Sequence, residues 1–511
     1  MRPSFLNVAA AQALATLLAG CAVGPDYAKP DMTLPAQWTQ AATDGRGPST
    51  PAASLDAWWR AFNDPLLDAL MAEAVAGNSD VASAKAKIRE ARATRREAGA
   101  ALGPSLTGSA SASETGRQSA LGGETMTTTT TTTTTTSATS SSGVSAPFQA
   151  GFDASWELDL FGANRRDAEA AGYGEEATEE DLRSTLLTLV GDVGADYAEA
   201  RGYQEQIALA RRTLASERRT ADLTHVKFDA GSASGADAAK ADAEASTTAA
   251  DVPTYEADYA EAVHRLSVLT GRAPGALDDR MQTPRATPAP RRPLPAGVPA
   301  DLLTRRPDVR AAERRVAQAT AKIGAAEAAL YPDVSLAGSL STSASRPGEL
   351  LRASSVSWSW GPSVSIPIFD GGKLAAQRDG AQAQRDEYLV AWRSSVLTAM
   401  EDVENALVSL SWERLRAKQL ASSVDNYRKA ADLSRAQYEA GKSSFLDVLD
   451  AERSLYSAEN SLIQSRVSLA KDYVALAKAL GGGWDAPVDA SRSEVADEAV
   501  GPHLRSQPAA P

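Results

Sequence analysis

Two hydrophobic periodicities alternate along this chain. From Ala163 to Ala230 no proline occurs, and apolar residues recur at Leu182, Leu186, Leu189, Val193, Tyr197, Ala200, Tyr203 and Ile207. Steps of three and four predict a helix with a coiled-coil-like seam, and at ~1.5 Å per residue it would reach roughly 100 Å. A second seam runs through Leu389, Trp392, Val396, Met400, Val403, Leu407 and Leu410. Between such segments the period drops to two. In "SVSWSWGPSVSIPIF", Trp358, Trp360, Val364, Ile366 and Ile368 alternate with Ser357, Ser359, Ser363 and Ser365. In "FQAGFDASWELDL", Phe148, Phe152, Trp156, Leu158 and Leu160 alternate with Gln149, Asp153, Ser155, Glu157 and Asp159. Both read as strands with one dry and one polar face.

The pattern occurs twice. "AALGPSLTGSAS" matches "AALYPDVSLAGSLS", "LDLFGANRRDAEAA" matches "IPIFDGGKLAAQRD", and "FDAGSASGADAAKAD" matches "YEAGKSSFLDVLDAE". Across the long helices the offset is 210, as in Asp192 with Asp402 and Gly231 with Gly441. Each half reads as helix, strand, loop, strand, very long helix, tight turn and long return helix. The predicted first repeat covers 65–271, with strands near 105–113 and 148–160 and a hairpin over about 163–270. The second covers 300–484, with strands near 333–343 and 357–368 and a hairpin over about 371–480. A Pro-rich linker, 272–299, joins them, and 485–511 reads as a flexible tail. Pro253 is expected to kink or interrupt the first return helix. The Thr run at 127–136 has no apolar face, so it reads as a solvated loop or a glycosylated one.

The N-terminus changes the compartment. Arg2, a short apolar stretch and small residues form a secretory signal over 1–20, too short to span a membrane. Leu18-Ala19-Gly20-Cys21 resembles a bacterial lipobox, which implies cleavage before Cys21, a lipid on its thiol and a lipidated arm over 21–64. Cys21 is the sole cysteine, so no intrachain disulfide is available. Abundant Ala and 6% aromatics suit closely packed helices, and a net charge of −13 argues against a nucleic-acid partner. His225, His264 and His503 are scattered. No P-loop, convincing G-x-S-x-G, CxxC or HExxH is present, so enzyme chemistry has no foothold, and no cofactor or metal is expected beyond the lipid.

No later segment has 18 consecutive apolar residues, so any membrane crossing must use strands. Four strands make an open sheet whose unpaired edges are costly in lipid, and spanning barrels need about eight or more. Copies of the chain must then share one barrel. The other reading is a soluble sandwich face on a helical lipoprotein.

Cys21-Ala22-Val23-Gly24-Pro25-Asp26-Tyr27 with Pro30, the block 302–339, "SIPIFDGGK" and "YEAGKSSFLDVLDAERSLYSAEN" together resemble the outer-membrane efflux lipoproteins of the NodT/OprM type. The resemblance covers about 21–484 and implies a TolC-like homotrimer. Its fold would be mainly α with a membrane β-barrel portion: twelve strands, four per chain, continuing into a helical periplasmic tunnel. It implies partners as well, a periplasmic adaptor and an inner-membrane RND pump, with the outer-membrane lipid around the barrel.

The candidate residues follow. Gly231 and Gly441 suit hairpin-tip turns. Asp447 and Asp450 stand three apart on one helix face, and the resemblance implies aperture acids there. Each reads as a periplasmic gate residue or as an ordinary first-turn acid. Tyr438 is a latch or a seam aromatic. Asp153, Glu157 and Asp159 face a lumen or merely water. Trp156, Trp358 and Trp360 are candidates for a lipid-facing belt. Arg305, Arg306, Pro307 and Asp308 read as structural. The expected function is an outer-membrane conduit exporting small molecules. The alternatives are a conduit for type I-like polypeptide secretion and a non-channel coiled-coil spacer.

Overall fold

The computed structural model describes residues 22–39, 55, 57–113, 148–294, 298–483 and 488–491. Cys21, the signal, the Thr run and most of the tail lie outside the described residues. The chain divides into two compact units. One gathers Met1–Tyr27, Thr94–Gly172 and Gln318–Arg385, and the other gathers Ala28–Ala93, Tyr173–Ala317 and Asp386–Pro511.

The helices are α1 (Pro65–Gly77), α2 (Ser79–Ala100), α3 (Ala163–Asp229), α4 (Gly235–Leu269), α5 (Pro307–Ala328), α6 (Lys373–Glu439) and α7 (Phe445–Ala479), beside shorter turns. α3 and α6 each have 67 residues, and α4 and α7 each have 35. Both pairs are offset by 210, whereas α2 and α5 are offset by 228. The 18-residue difference falls between α2 and α3, in the segment that contains the Thr run.

Among the described residues the first unit contains one sheet: β1 (Ser105–Ala112), β2 (Phe148–Glu157), β3 (Asp333–Ala344) and β4 (Val356–Ser365). They pair antiparallel in sequence order. The register stacks Gly108, Phe152, Leu340 and Trp358 in one row, and Trp156, Leu336 and Pro362 in another. On the opposite face Thr107, Asp153, Ser339 and Ser359 form a polar row. Hydroxyls bridge the strands there: Ser339 to Ser359 and Ser341 to Ser357, each at 2.9 Å.

The alternation is shorter than the sequence suggests. β4 stops at Ser365, so Ile366 and Ile368 lie beyond the ladder; Pro367 has no N–H to extend it. β2 stops at Glu157 and leaves Asp159 outside the strand. α4 is not interrupted at Pro253, which lies at an exposed position of the helix; the ring there removes one backbone donor from the helix.

In the second unit the seam residues Leu186, Leu189, Val193, Tyr197 and Ala200 of α3 are buried, as are Trp392, Val396, Val403 and Leu410 of α6. Arg201, also buried, donates to the Tyr197 hydroxyl at 3.1 Å and the Thr283 carbonyl at 2.9 Å, fastening the linker start to the long helix.

Candidate functional site: hairpin ends and the two-faced sheet

Each long helix ends in the same three steps. Gly231 and Gly441 adopt φ +70°, the left-handed turn in which a Cβ is disfavoured. Ser232 N donates to the Lys227 carbonyl and Lys442 N to the Gln437 carbonyl, closing the last turns. Each return helix then opens with a capping box, Ser234 with Asp237 and Ser444 with Asp447. Asp447 Oδ2 accepts from Ser444 N at 3.0 Å and Ser444 Oγ at 2.9 Å. Its cap geometry is therefore accounted for, though the carboxylate is exposed. Asp450 is exposed too, and no ion pair to it is found among the described residues.

Tyr438 does not stand at the surface. It is buried in a cluster with Ala221, Ala241, Phe445, Val448 and Leu449, drawn from α3, α4, α6 and α7. Its ring meets Phe445 edge-on at 6.0 Å between centroids, and its hydroxyl donates to Thr224 Oγ1 at 3.1 Å. Lys227 Nζ sits 4.0 Å from the Tyr438 ring centroid and donates to the Tyr438 carbonyl. One α3 cation thus caps the negative end of α6 and lies over its aromatic. Thr224 and Lys227 escaped the sequence reading. Lys227 in the last turn of α3 reads locally as a cap for its own helix, and nothing local points 211 residues ahead.

At the sheet, Asp153 and Glu157 lie on the polar face, Glu157 opposite Ser335. Asp159 does not join them: its carboxylate accepts from Asn164 N at 3.3 Å and Arg165 N at 2.8 Å, at the start of α3. Asp370 serves α6 in the same way, accepting from Gly372 N at 2.9 Å and Leu374 N at 2.7 Å, and these backbone N–H groups lower its pKa. Trp156, Trp358 and Trp360 share the apolar face; Trp358 and Trp360 are 71% and 73% exposed, and Trp156 Nε1 donates to the Leu102 carbonyl at 3.0 Å.

The family profile for outer membrane efflux proteins matches residues 70–272 and 298–482, one segment per repeat. The chain belongs to the outer membrane efflux protein family. Nodulation protein T of Rhizobium leguminosarum bv. trifolii is 35% identical over 86% of this chain and 89% of its own. Toluene efflux pump outer membrane protein TtgI of Pseudomonas putida is 34% identical over 92% and 96%. The solved outer-membrane channel OprN superposes with a TM-score of 0.80 at 36% identity, over 91% of this chain and all of that one. This efflux protein therefore has the TolC-like architecture, mainly helical with a β-barrel portion, four strands per chain and an internal two-fold repeat. It is an outer-membrane efflux channel component.

Within the first unit, the described start of the chain is tied beside the exit of β2. Val23 N donates to the Phe161 carbonyl at 3.0 Å. A Cβ on Gly24 would come within 2.4 Å of Gly324 Cα, so backbone passes over backbone. Arg166, largely buried, pairs with Asp26 at 2.7 Å and Glu169 at 2.8 Å.

Proposed function

We propose that three copies of this chain close a twelve-stranded outer-membrane barrel and a helical tunnel, forming the passive exit duct of a tripartite efflux system for small molecules. The bareness of the sheet carries this reading. Leu106, Phe152, Trp358, Trp360 and Val364 are all exposed on the apolar face of a sheet whose β1 and β4 edges have no partner among the described residues. Lipid covers that face and neighbouring copies pair those edges. Two copies would make eight strands, whose interior side chains fill; three leave a lumen, with Asp153 and Glu157 on its wall and Trp156, Trp358 and Trp360 toward lipid.

The long helices support the same assembly. Leu187 of α3 is 5% exposed, while Leu397, its equivalent in α6, is 55% exposed. Val390, Val408, Trp412 and Leu415 extend that uncovered stripe. A second copy against α6 restores the environment that α3 already has. The lipid on Cys21 suits an arm whose next residues are tied at the strand exit, where a membrane surface would lie. The periplasmic adaptor and inner-membrane RND pump supply docking and energy, and the likeness to a toluene-pump channel favours small solutes as cargo.

Asp447 and Asp450, repeated by three subunits, would ring the periplasmic opening with six acids. The test is single-channel recording in planar bilayers. Asp447→Ala with Asp450→Ala should raise conductance and weaken block by divalent cations; unchanged conductance and block remove both from the gate. A purified protein that is monomeric and stable without detergent refutes the shared barrel.

A further inference from the structure

A polar layer crosses the buried seam of the second unit, fourteen residues before the Gly231 turn. Glu217 of α3 is 4% exposed, and its Oε2 has no hydrogen-bond partner. Thr248 of α4, also buried, hydrogen-bonds its carboxylate. The charged groups facing it are Glu244 and Asp251 of α4 and Glu452 and Arg453 of α7. Arg453 Nε is held by Glu244 at 2.7 Å. Glu452 Oε1 takes Arg435 of α6, from Nη2 at 2.5 Å and Nε at 3.2 Å. Arg435 Nη2 also donates to Ser216 of α3 at 2.8 Å, and Thr220 Oγ1 to Glu452 at 3.4 Å.

Four helices therefore meet around two buried carboxyls, and both nearby guanidinium groups are engaged by other acids. We propose that Glu217 is a proton-operated clamp between the two hairpins: neutral, it lets α3, α4 and α7 close over it, and ionised, it loosens that packing and eases their parting. The clamp as a gating device rests on the channel reading above; the packing change does not.

Burial, and then the facing Glu244, Glu452 and Asp251 against the Thr248 hydrogen bond, push the Glu217 carboxyl from 4.5 up to about 7. An acid raised in the closed state binds its proton there more tightly than in a parted, solvated state. Closed packing is therefore fully favoured below about pH 4.5. That advantage is lost as pH rises to about 7, and little changes above it.

Hydrogen exchange on the full chain in detergent tests this, followed over 213–224 and 448–456 after correction for intrinsic rates. The opening equilibrium should rise roughly fortyfold between about pH 5 and pH 7, and Glu217→Gln should flatten the profile. A flat wild-type profile, or an unchanged rise in Glu217→Gln, overturns the clamp. If Glu217→Gln does not fold, Glu452→Gln serves: removing a facing negative charge should move the rise to lower pH, and an unmoved midpoint is equally fatal. Conductance recorded in parallel separates the two readings. Exchange that tracks Glu217 in a protein that never conducts keeps the clamp and ends the channel.

Discussion

Asn78 and Arg306 hold equivalent places with different chemistry. Each immediately precedes a 22-residue helix, α2 or α5, and each reaches the last residue of its own repeat's return helix. Asn78 Nδ2 donates to the Leu269 carbonyl at 3.0 Å, and Arg306 Nη1 to the Ala479 carbonyl at 3.3 Å. Leu269 and Ala479 are 210 positions apart, the offset of the long helices. An amide and a guanidinium thus satisfy the same orphan carbonyl at the same junction. Asn78 Oδ1 meanwhile accepts from Asp80 N and Val81 N, and Arg306 grips Asp308 with two nitrogens and Asp402 with a third.

Removing either should loosen its repeat. Asn78→Ala loses an N-cap and the link to Leu269, with an expected cost of about 1–2 kcal/mol. Arg306→Ala loses the link to Ala479 and the cation between Asp308 and Asp402, which are themselves 37% and 45% exposed, and should cost about 2 kcal/mol. Arg306→Lys should recover little, because one ammonium cannot reproduce the fork. Guanidinium denaturation of each variant, followed by circular dichroism, gives the ranking; a fully stable Arg306→Ala contradicts it.

The two tip acids should separate. Asp447→Ala removes the N3 half of a capping box and should destabilise the start of α7 by about 1 kcal/mol, seen as faster amide exchange at 445–450. Asp450→Ala breaks no cap, so that exchange should be unchanged while divalent block weakens. Equal effects of the two on exchange would count against this division.

Tyr438→Phe keeps the packing against Phe445 and removes only the bond to Thr224, an expected loss of about 1 kcal/mol. Lys227→Met removes the cation over the ring and the cap on α6 together and should do more. Open probability in bilayers should rise in the order wild type, Tyr438→Phe, Lys227→Met. A Lys227→Met channel as closed as the wild type shows that this contact does not hold the hairpins.

Gly441→Ala tests the turn itself. No atom lies within 4 Å of the Cβ it would add, so the cost is backbone strain alone, about 1 kcal/mol for a left-handed alanine. Gly231→Ala should match it, since the φ and the empty surroundings are the same. Thermal melts of the two single variants that differ widely would place a neighbour near one tip that a single chain lacks.

What the sequence determined by itself was periodic and local. Seams at three and four, strands at two, left-handed glycines after helices and the 210-residue offset are written in residues a few positions apart, or in the comparison of one half with the other. The register-bound polar row of Thr107, Asp153, Ser339 and Ser359 follows from that alternation once the strands are paired. Tertiary structure decided which equal-looking residues differ. Asp153 and Asp159 share a parity, yet one stays on the sheet and the other caps a helix, because chain direction after Glu157 is set by α3. Leu187 and Leu397 match in the repeat, yet only one is covered. Glu217 reads as one more helix glutamate until α4 and α7 close around it and Arg435 is found paired with Glu452. Its environment depends on partners up to 236 residues away, and no local pattern encodes which cation a buried acid will be denied.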